Sequence, residues 1–341
     1  MDKILSVIIP SYNSLPYLDK CLGSLVCDVM DKLDVIVVND GSTDGCEKIA
    51  EDYIERYPKT FSLISKENGG HGSAINSGAE KAVGKYMKVL DADDWFLTEN
   101  IPEFVKRLEE ADADVVLTCH HTIDISTGEI RSWRSFPYEY GVEYDLEEVM
   151  EDWKQFDRSL TFHGITYRTD FYKEHCIKLS EHVFYEDHEY ATFPCCYAKT
   201  ILPLDLFIYE YRIGDVSQSV SAQNQVKRIK HTQKVIMRLI KEGNAVTDKY
   251  AKAYVDKKTH LLLLSYLVTS LLCDEDRTRG YVRANYMMRY VKEHNEAVYN
   301  MSIKHLKILK MLNIFNVSFD SYNKILHSKL YNTLRHNKSF E

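Results

Sequence analysis

The first 120 residues alternate between two spacings of apolar positions. Short β-branched or apolar runs, "LSVIIP" (5–10), "DVIVVND" (34–40), "FSLISKE" (61–67), "KYMKVLD" (85–91) and "DVVLTCH" (114–120), read as strands. Between them, helical patterns cover 15–27, 44–57, 72–83 and 99–110. This order predicts an α/β fold with a mostly parallel sheet covered by helices. Residues 121–215 are mixed, with strand-like runs at 129–135, 160–167 and 201–211 around helical pieces near 145–156, 169–176 and 187–198. From about 222 the pattern is helical to the end, so the expected division is 1–220 and 221–341. The longest apolar stretch, Leu261 to Cys273, has 13 residues and predicts a buried helix. A membrane span needs ~20.

In sheets of this kind ligands bind beyond the carboxyl ends of the strands. Four unusual segments fall there: "PSYNS", "NDGSTDG", "ENGGHGSAINSG" and "DADDW". The first ends its strand at Pro10 and is followed by Tyr12 and Asn13; the proline stops ladder pairing, and the tyrosine can offer a ring face to a base. It lacks the GxGxxG of a dehydrogenase-type dinucleotide site. In the second, Gly41 permits a tight turn, and Ser42, Thr43 or Asp44 is placed to cap the next helix. Asp40, before the turn, is the candidate to accept a hydrogen bond from a base edge. The third places Gly69, Gly70 and Gly72 ahead of a helix, where backbone N–H groups can approach an anion. His71 there reads equally as a local hydrogen bonder or a ligand.

The fourth segment crowds Asp91, Asp93 and Asp94 against Trp95. Such carboxylates repel one another unless a cation joins them. Hard oxygen donors suit Mg²⁺ or Mn²⁺, which share their shell with substrate phosphates. In an extended segment Asp91 and Asp93 share a face and become the metal pair, while Asp94 points away and can orient a substrate hydroxyl.

Composition narrows the field. The chain has 341 residues, 45% hydrophobic and 28% charged, with a net charge of -8, which leaves no nucleic-acid footprint. The charge is uneven: residues 301–341 carry seven Lys/Arg and two Asp/Glu, a net of +5, and the remainder -13. Eight cysteines without a CxxC, and a start lacking a signal-peptide pattern, fit free thiols in a reducing, cytoplasmic setting.

"VIIPSYN", "VIVVNDGSTDG", "ENGGHGSAINSG" and "KVLDADDW", in this order and spacing, resemble the nucleotide-sugar domain of family 2 glycosyltransferases, such as those that build bacterial cell-surface polysaccharides. The resemblance covers about residues 1–220. It implies the Rossmann-like GT-A fold, inversion at the anomeric carbon and a UDP-sugar donor. It also implies a base pocket from Pro10, Tyr12 and Asp40, and a metal–diphosphate site at Asp91 and Asp93. Asn13, Gly41, Asn68, Gly70, Asn76, Ala92, Asp94 and Arg212 join the donor-facing set. The later pair in "FYEDHEY", Glu186 and Asp187, stands where the family has its base, with Asp187 the preferred candidate over a helix cap. Arg212 of "YRIGDVSQS" is placed to reach the diphosphate, and Ser217, Gln218 and Ser219 to close over the donor. His163 reads equally as an acceptor-facing residue or a hydrogen-bonded core histidine.

Two other classes remain open. A sugar-nucleotidyltransferase wants a glycine-rich loop with Arg or Lys after the first strand, which "PSYNSLPY" does not offer. A non-catalytic carbohydrate-binding protein has no use for both an Asp-x-Asp and a separate acidic pair. In "SIKHLKILKMLNIF" (302–315), Lys304, Lys307 and Lys310 fall on one arc, and Leu306, Ile308, Leu309, Leu312 and Phe315 on the other half. With Lys324, Lys329, Arg335 and Lys338 beyond, this reads either as an anionic-membrane contact suited to a lipid-linked glycan acceptor, or as a helix packed on its own protein.

Overall fold

The computed structural model describes residues 2–134, 139–145, 147, 160–214 and 222–326. All of the expected helix at 145–156 but residues 145 and 147, the closing segment Ser217–Ser219 and the basic residues Lys329, Arg335 and Lys338 lie outside them. Two compact units emerge, Met1–Gln218 with Val246–Val255, and Ser219–Ala245 with Asp256–Glu341.

The first unit is built on one sheet. Its strands are β1 (Leu5–Ser11), β2 (Leu33–Asp40), β3 (Phe61–Lys66), β4 (Tyr86–Val89), β5 (Trp95–Phe96), β6 (Val115–Asp124), β7 (Ile130–Trp133), β8 (Tyr144–Asp145), β9 (Ile165–Arg168) and β10 (Thr200–Ile213). The order is β3-β2-β1-β4-β9-β6-β10-β5, with β7 on β6 and β8 on β10. β3, β2, β1 and β4 run parallel, as do β6 and β10. β9 is antiparallel to both of its neighbours, β4 and β6.

Alternation explains the unbroken apolar runs Val7–Ile9 of β1 and Val35–Val38 of β2. Ile8, Ile36 and Val38 pack into one core, and Val7, Ile9, Val35 and Val37 into the other, so helices cover both faces. Each such side chain contributes roughly 1.5–3 kcal/mol on burial. Helices Leu18–Gly23, Glu47–Arg56, His71–Lys81 and Ile101–Glu110 occupy the expected intervals. The interval 187–198 differs: the helix is Asp187–Tyr190, followed by turns and a 3-10 helix at Pro194–Cys196. Pro194 lacks the N–H needed to continue an α-helix. All eight cysteines are free.

In the second unit the described residues are helical, the longer helices being Ile229–Gly243, Arg277–His294 and Glu296–Ile314. Asp276 and Asn295 cap the last two by accepting from Arg279 N and Val298 N. The helix Lys249–Val268 passes into a π-helical turn at Thr269–Cys273, and Leu262, Leu263, Leu267, Leu271 and Leu272 of the long apolar stretch are buried as expected. No described helix is long and apolar enough to cross a membrane.

Candidate active site

The four segments after β1–β4 form one rim, and side chains lace them together. Asn13, at φ 51°, accepts from Thr43 N at 2.9 Å through Oδ1, and its own N–H donates to Ser42 Oγ at 3.0 Å. Asp44 does not cap a helix. Helix Glu47–Arg56 begins at Cys46 without a side-chain cap, and Asp44 instead accepts from Leu15 N at 2.8 Å and Cys46 N at 3.1 Å. Tyr12 beside this lacing is 56% exposed, free to offer its ring, while Pro10 is buried within β1.

Asp40 is 2% exposed and faces inward. It pairs with Lys66 at 2.8 Å and accepts from Gly69 N at 3.0 Å and Gly70 N at 2.8 Å. Gly41 must be glycine, because φ is +75° and an added Cβ would lie 2.9 Å from Asn68 N. Asn68 donates to the Asp40 carbonyl at 2.9 Å. Gly70, at φ +87°, opens the helix His71–Lys81. Asn76 on that helix clasps the Leu179 backbone, donating to its O at 3.0 Å and accepting from its N at 2.9 Å.

The segment 91–94 is a turn, closed by Asp94 N to Asp91 O at 3.0 Å. The extended geometry expected for Asp91 and Asp93 is thereby replaced. The turn brings all three carboxylates together, with one oxygen from each within 4.8 Å of the others, and Ala92 tucked beneath. Asp94 is 1% exposed and accepts from Tyr209 Oη and Arg212 N, each at 2.7 Å. Burial and the charges of Asp91 and Asp93 push its pKa well up. Arg212 lies over the Tyr17 ring at 4.4 Å, with Nη1 3.7 Å from Asp93 Oδ2. Three hard oxygen donors converging within one turn fit a divalent cation, Asp91 and Asp93 being the more accessible pair.

The second acidic motif reaches the same place. His71 Nδ1 stands 2.6 Å from Glu186 Oε1, and Nε2 2.8 Å from Asp91 Oδ1. Two ionised carboxylates only accept, so the ring donates from both nitrogens and is an imidazolium. Burial opposes the charge, yet Asp91 and Glu186 raise the pKa of His71 well above the usual range. Glu186 is 2% exposed, and its Oε2 is buried without a hydrogen-bond partner. Asp187 is half-buried and opens its helix without making a cap. His182 and Tyr185, just before it, hold φ of 53° and 74°. Such backbone strain gathers at functional sites.

Beneath the acidic turn lies an aromatic and basic floor. His163 stacks on Tyr211 at 4.0 Å and meets Tyr209 edge-on at 5.0 Å. Burial lowers its pKa to about 4. Lys88, 0% exposed, donates to the carbonyls of His163 at 2.7 Å and Ile165 at 3.0 Å, and burial brings it down to about 7. The sequence carries a signal for Lys88, an inward position of an otherwise apolar strand. The His71 bridge had none, because Glu186 is 115 residues away.

Residues 6–174 match the model of the family described as Glycosyl transferase family 2. Glycosyltransferase GlyA of Streptococcus pneumoniae is 32% identical over 128 residues, 38% of this chain and 18% of that protein. The chain spans less than half the length of the curated relatives it matches. Among solved structures, S. aureus TarS 1–349 in complex with UDP-GlcNAc superimposes with TM-score 0.65 at 19% identity, over 92% of each chain. The mannosyltransferase PcManGT of Pyrobaculum calidifontis, in complex with GDP-Man and Mn²⁺, gives 0.54 at 17% identity, over 96% of this chain and 88% of that one. These likenesses establish the GT-A fold.

Proposed function

With residues 6–174 belonging to glycosyl transferase family 2, we propose that this protein is an inverting glycosyltransferase. It moves a hexosyl or N-acetylhexosaminyl group from a nucleotide-diphosphate sugar, UDP being favoured, to a hydroxyl of a glycan or lipid-linked glycan. The observation that carries this reading is the convergence of the Asp91–Asp94 turn and the Glu186–Asp187 pair on one imidazole. A donor-side acidic turn and a separate carboxylate are what a single in-line displacement needs. Tyr12 takes the base against the loop that Asp40, Gly41 and Asn68 shape, and Arg212 approaches the diphosphate. Asp187 takes the proton of the attacking hydroxyl. A divalent cation, Mn²⁺ or Mg²⁺, held by Asp91 and Asp93, would supply charge stabilisation of the departing diphosphate.

The direct test mixes the full chain with UDP- and GDP-sugars, Mn²⁺ or Mg²⁺, and a panel of glycan acceptors. Acceptor-dependent release of a nucleoside diphosphate supports the reading. Release of pyrophosphate from a nucleoside triphosphate and a sugar phosphate points to a nucleotidyltransferase instead. Thermal stabilisation by donors without turnover on any acceptor points to a binding protein.

The reading extends to a cytoplasmic protein that touches an anionic membrane surface peripherally. On helix Glu296–Ile314 the faces differ from the expected split. Leu306 and Leu309 are buried, but Ile308 (53% exposed), Met311 (51%), Ile314 (72%) and the following Phe315 (74%) share the exposed side with Lys304 and Lys307. Apolar side chains beside lysines suit an anionic lipid surface, whereas a second copy would set like charges against each other. Co-sedimentation with vesicles containing phosphatidylglycerol, at low and high salt, tests this. Binding lost in Lys304→Gln/Lys307→Gln supports it, and absence of binding at low salt removes it.

A further inference from the structure

His71 is the residue through which the two acidic motifs meet, and its own place is fixed from below. It is the first residue of its helix, after Gly70, whose N–H is held by Asp40 Oδ2 at 2.8 Å. From that anchor the ring spans Asp91 Oδ1 and Glu186 Oε1 at 2.8 and 2.6 Å. The segment leading to Glu186 is attached at other points: Asn76 clasps Leu179, His182 N donates to Gly69 O at 2.6 Å, and Ser180 N and Oγ donate to Glu189 at 2.8 Å each. The His71 bond falls one residue before Asp187. A rotation of the backbone at Glu186 would swing Asp187 directly.

We propose that His71 is a positioning residue: by tying Glu186 to Asp91 it sets the distance between the Asp187 carboxylate and the acidic turn. This rests on the transferase reading, since Asp187 matters only if a hydroxyl must be deprotonated near the departing diphosphate. The geometry makes His71 a strut between a donor-side and an acceptor-side element. The buried, unpartnered Oε2 of Glu186 is consistent with that use. One oxygen of a sequestered carboxylate is committed to the ring and the other to nothing, so Glu186 is held as an anchor, with Asp187 the group open to substrate. A displacement of about 1 Å at a reacting group costs on the order of 10²-fold in rate.

The test uses His71→Ala and His71→Gln in the full chain. Hydrogen exchange of residues 179–190 is the readout that needs no turnover, and it is expected to quicken in His71→Ala. UDP affinity in the presence of Mn²⁺, by calorimetry, is expected to stay within about threefold, because the ring is not a ligand of the cation. With an active donor and acceptor, kcat is expected to fall by about 10²-fold with donor KM nearly unchanged. Added imidazole should restore at least part of it to His71→Ala, filling the space between the two carboxylates. His71→Gln, similar in size and able to keep one donated bond, should retain the fold and give an intermediate rate. Unchanged exchange with unchanged kcat overturns the proposal, and so does a Mn²⁺-dependent UDP affinity that falls together with kcat. A wild-type chain that binds UDP and Mn²⁺ yet transfers no sugar defeats the transferase reading itself, while the exchange difference still separates a strut from an idle ring.

Discussion

Asp40 ends β2 and Asp91 follows β4, the two strands that flank β1, and the sequence reads both as ligand-facing. Their surroundings are opposite. Asp40 has a lysine and two backbone N–H groups on its oxygens and almost no exposed surface. Asp91 and Asp93 crowd against Asp94 and are partly exposed, with His71 Nε2 2.8 Å from Asp91 and Arg212 Nη1 3.7 Å from Asp93. A carboxylate whose hydrogen bonds are already made within the chain serves as scaffold. One crowded by other carboxylates and still open to solvent keeps room for something positive that arrives with the ligand. The distinction is read from partners, and sequence spacing does not contain it.

The largest effect that sharpens this contrast belongs to the open carboxylates. Asp91→Asn or Asp93→Asn should lower Mn²⁺-dependent UDP affinity by more than about 10²-fold, beyond the loss usual for a group that only supports a metal ligand. The melting temperature should hold or rise in Asp93→Asn, because a mutual repulsion is removed, and fall in Asp91→Asn, because the charge that the His71 ring bonds is lost. Calorimetry with and without Mn²⁺ decides it, and unchanged affinity in Asp93→Asn would sink the metal assignment.

Asp187→Asn comes next, with donor binding retained and kcat lower by ~10²-fold. As Asp187 makes no cap, the melt should not move. A destabilised variant would return Asp187 to a structural role.

Asp40→Asn should act in the other currency, stability. Losing the charge that Lys66 and the Gly69 and Gly70 amides share is expected to cost about 2 kcal/mol. UDP affinity should fall only as far as the loop loosens. If affinity collapses while the melt is unchanged, Asp40 meets the base directly and the contrast with Asp91 breaks.

The last effect concerns acid and leaves ligand binding untouched. His120 is 7% exposed, and burial, helped by the neighbouring His163, Lys88 and His121, lowers its pKa to about 3. The unfolded chain binds a proton below about 6.5 that the folded chain refuses until about 3. The stability held above pH 6.5 is therefore lost as pH falls through that window, by up to about 1.4 kcal/mol per pH unit for this group. His120→Gln should remove up to about 2 kcal/mol of the stability difference between urea melts at pH 7 and pH 5, about 1.5 units at that slope.

Much of this was legible in the chain. The parallel strands announced themselves because both of their faces are buried, and once they were placed the four loops at their ends followed. Three things were hidden. "FHGITYR" reads as a strand, but nothing in its short apolar run says that it runs against its neighbours. Asp44 has the composition of a cap, but one oxygen goes to Leu15 N across the rim and the other to Cys46 N ahead of the helix. The exposed side of Ile308 and Phe315 depends on which face of the helix its own unit covers, and periodicity alone placed those two residues on the buried half. In each case the missing information lies in a partner distant in sequence, where local propensity has no reach.

The place of β9 has a consequence for how the molecule is made. β4 carries Asp91 just beyond its end, and β6 leads to His120, yet the two strands are joined only through residues 165–168, inserted between them. During synthesis the edge of β4 must wait for that strand to leave the ribosome. At usual elongation rates the interval is roughly 4–15 s, long compared with the ordering of the helices on either side. Over that time the nascent chain presents an unpaired apolar edge beside an acidic turn that repels itself. The negative charges of Asp91, Asp93 and Asp94 would then act first as a guard, discouraging a second nascent chain from adding its own strand to the gap.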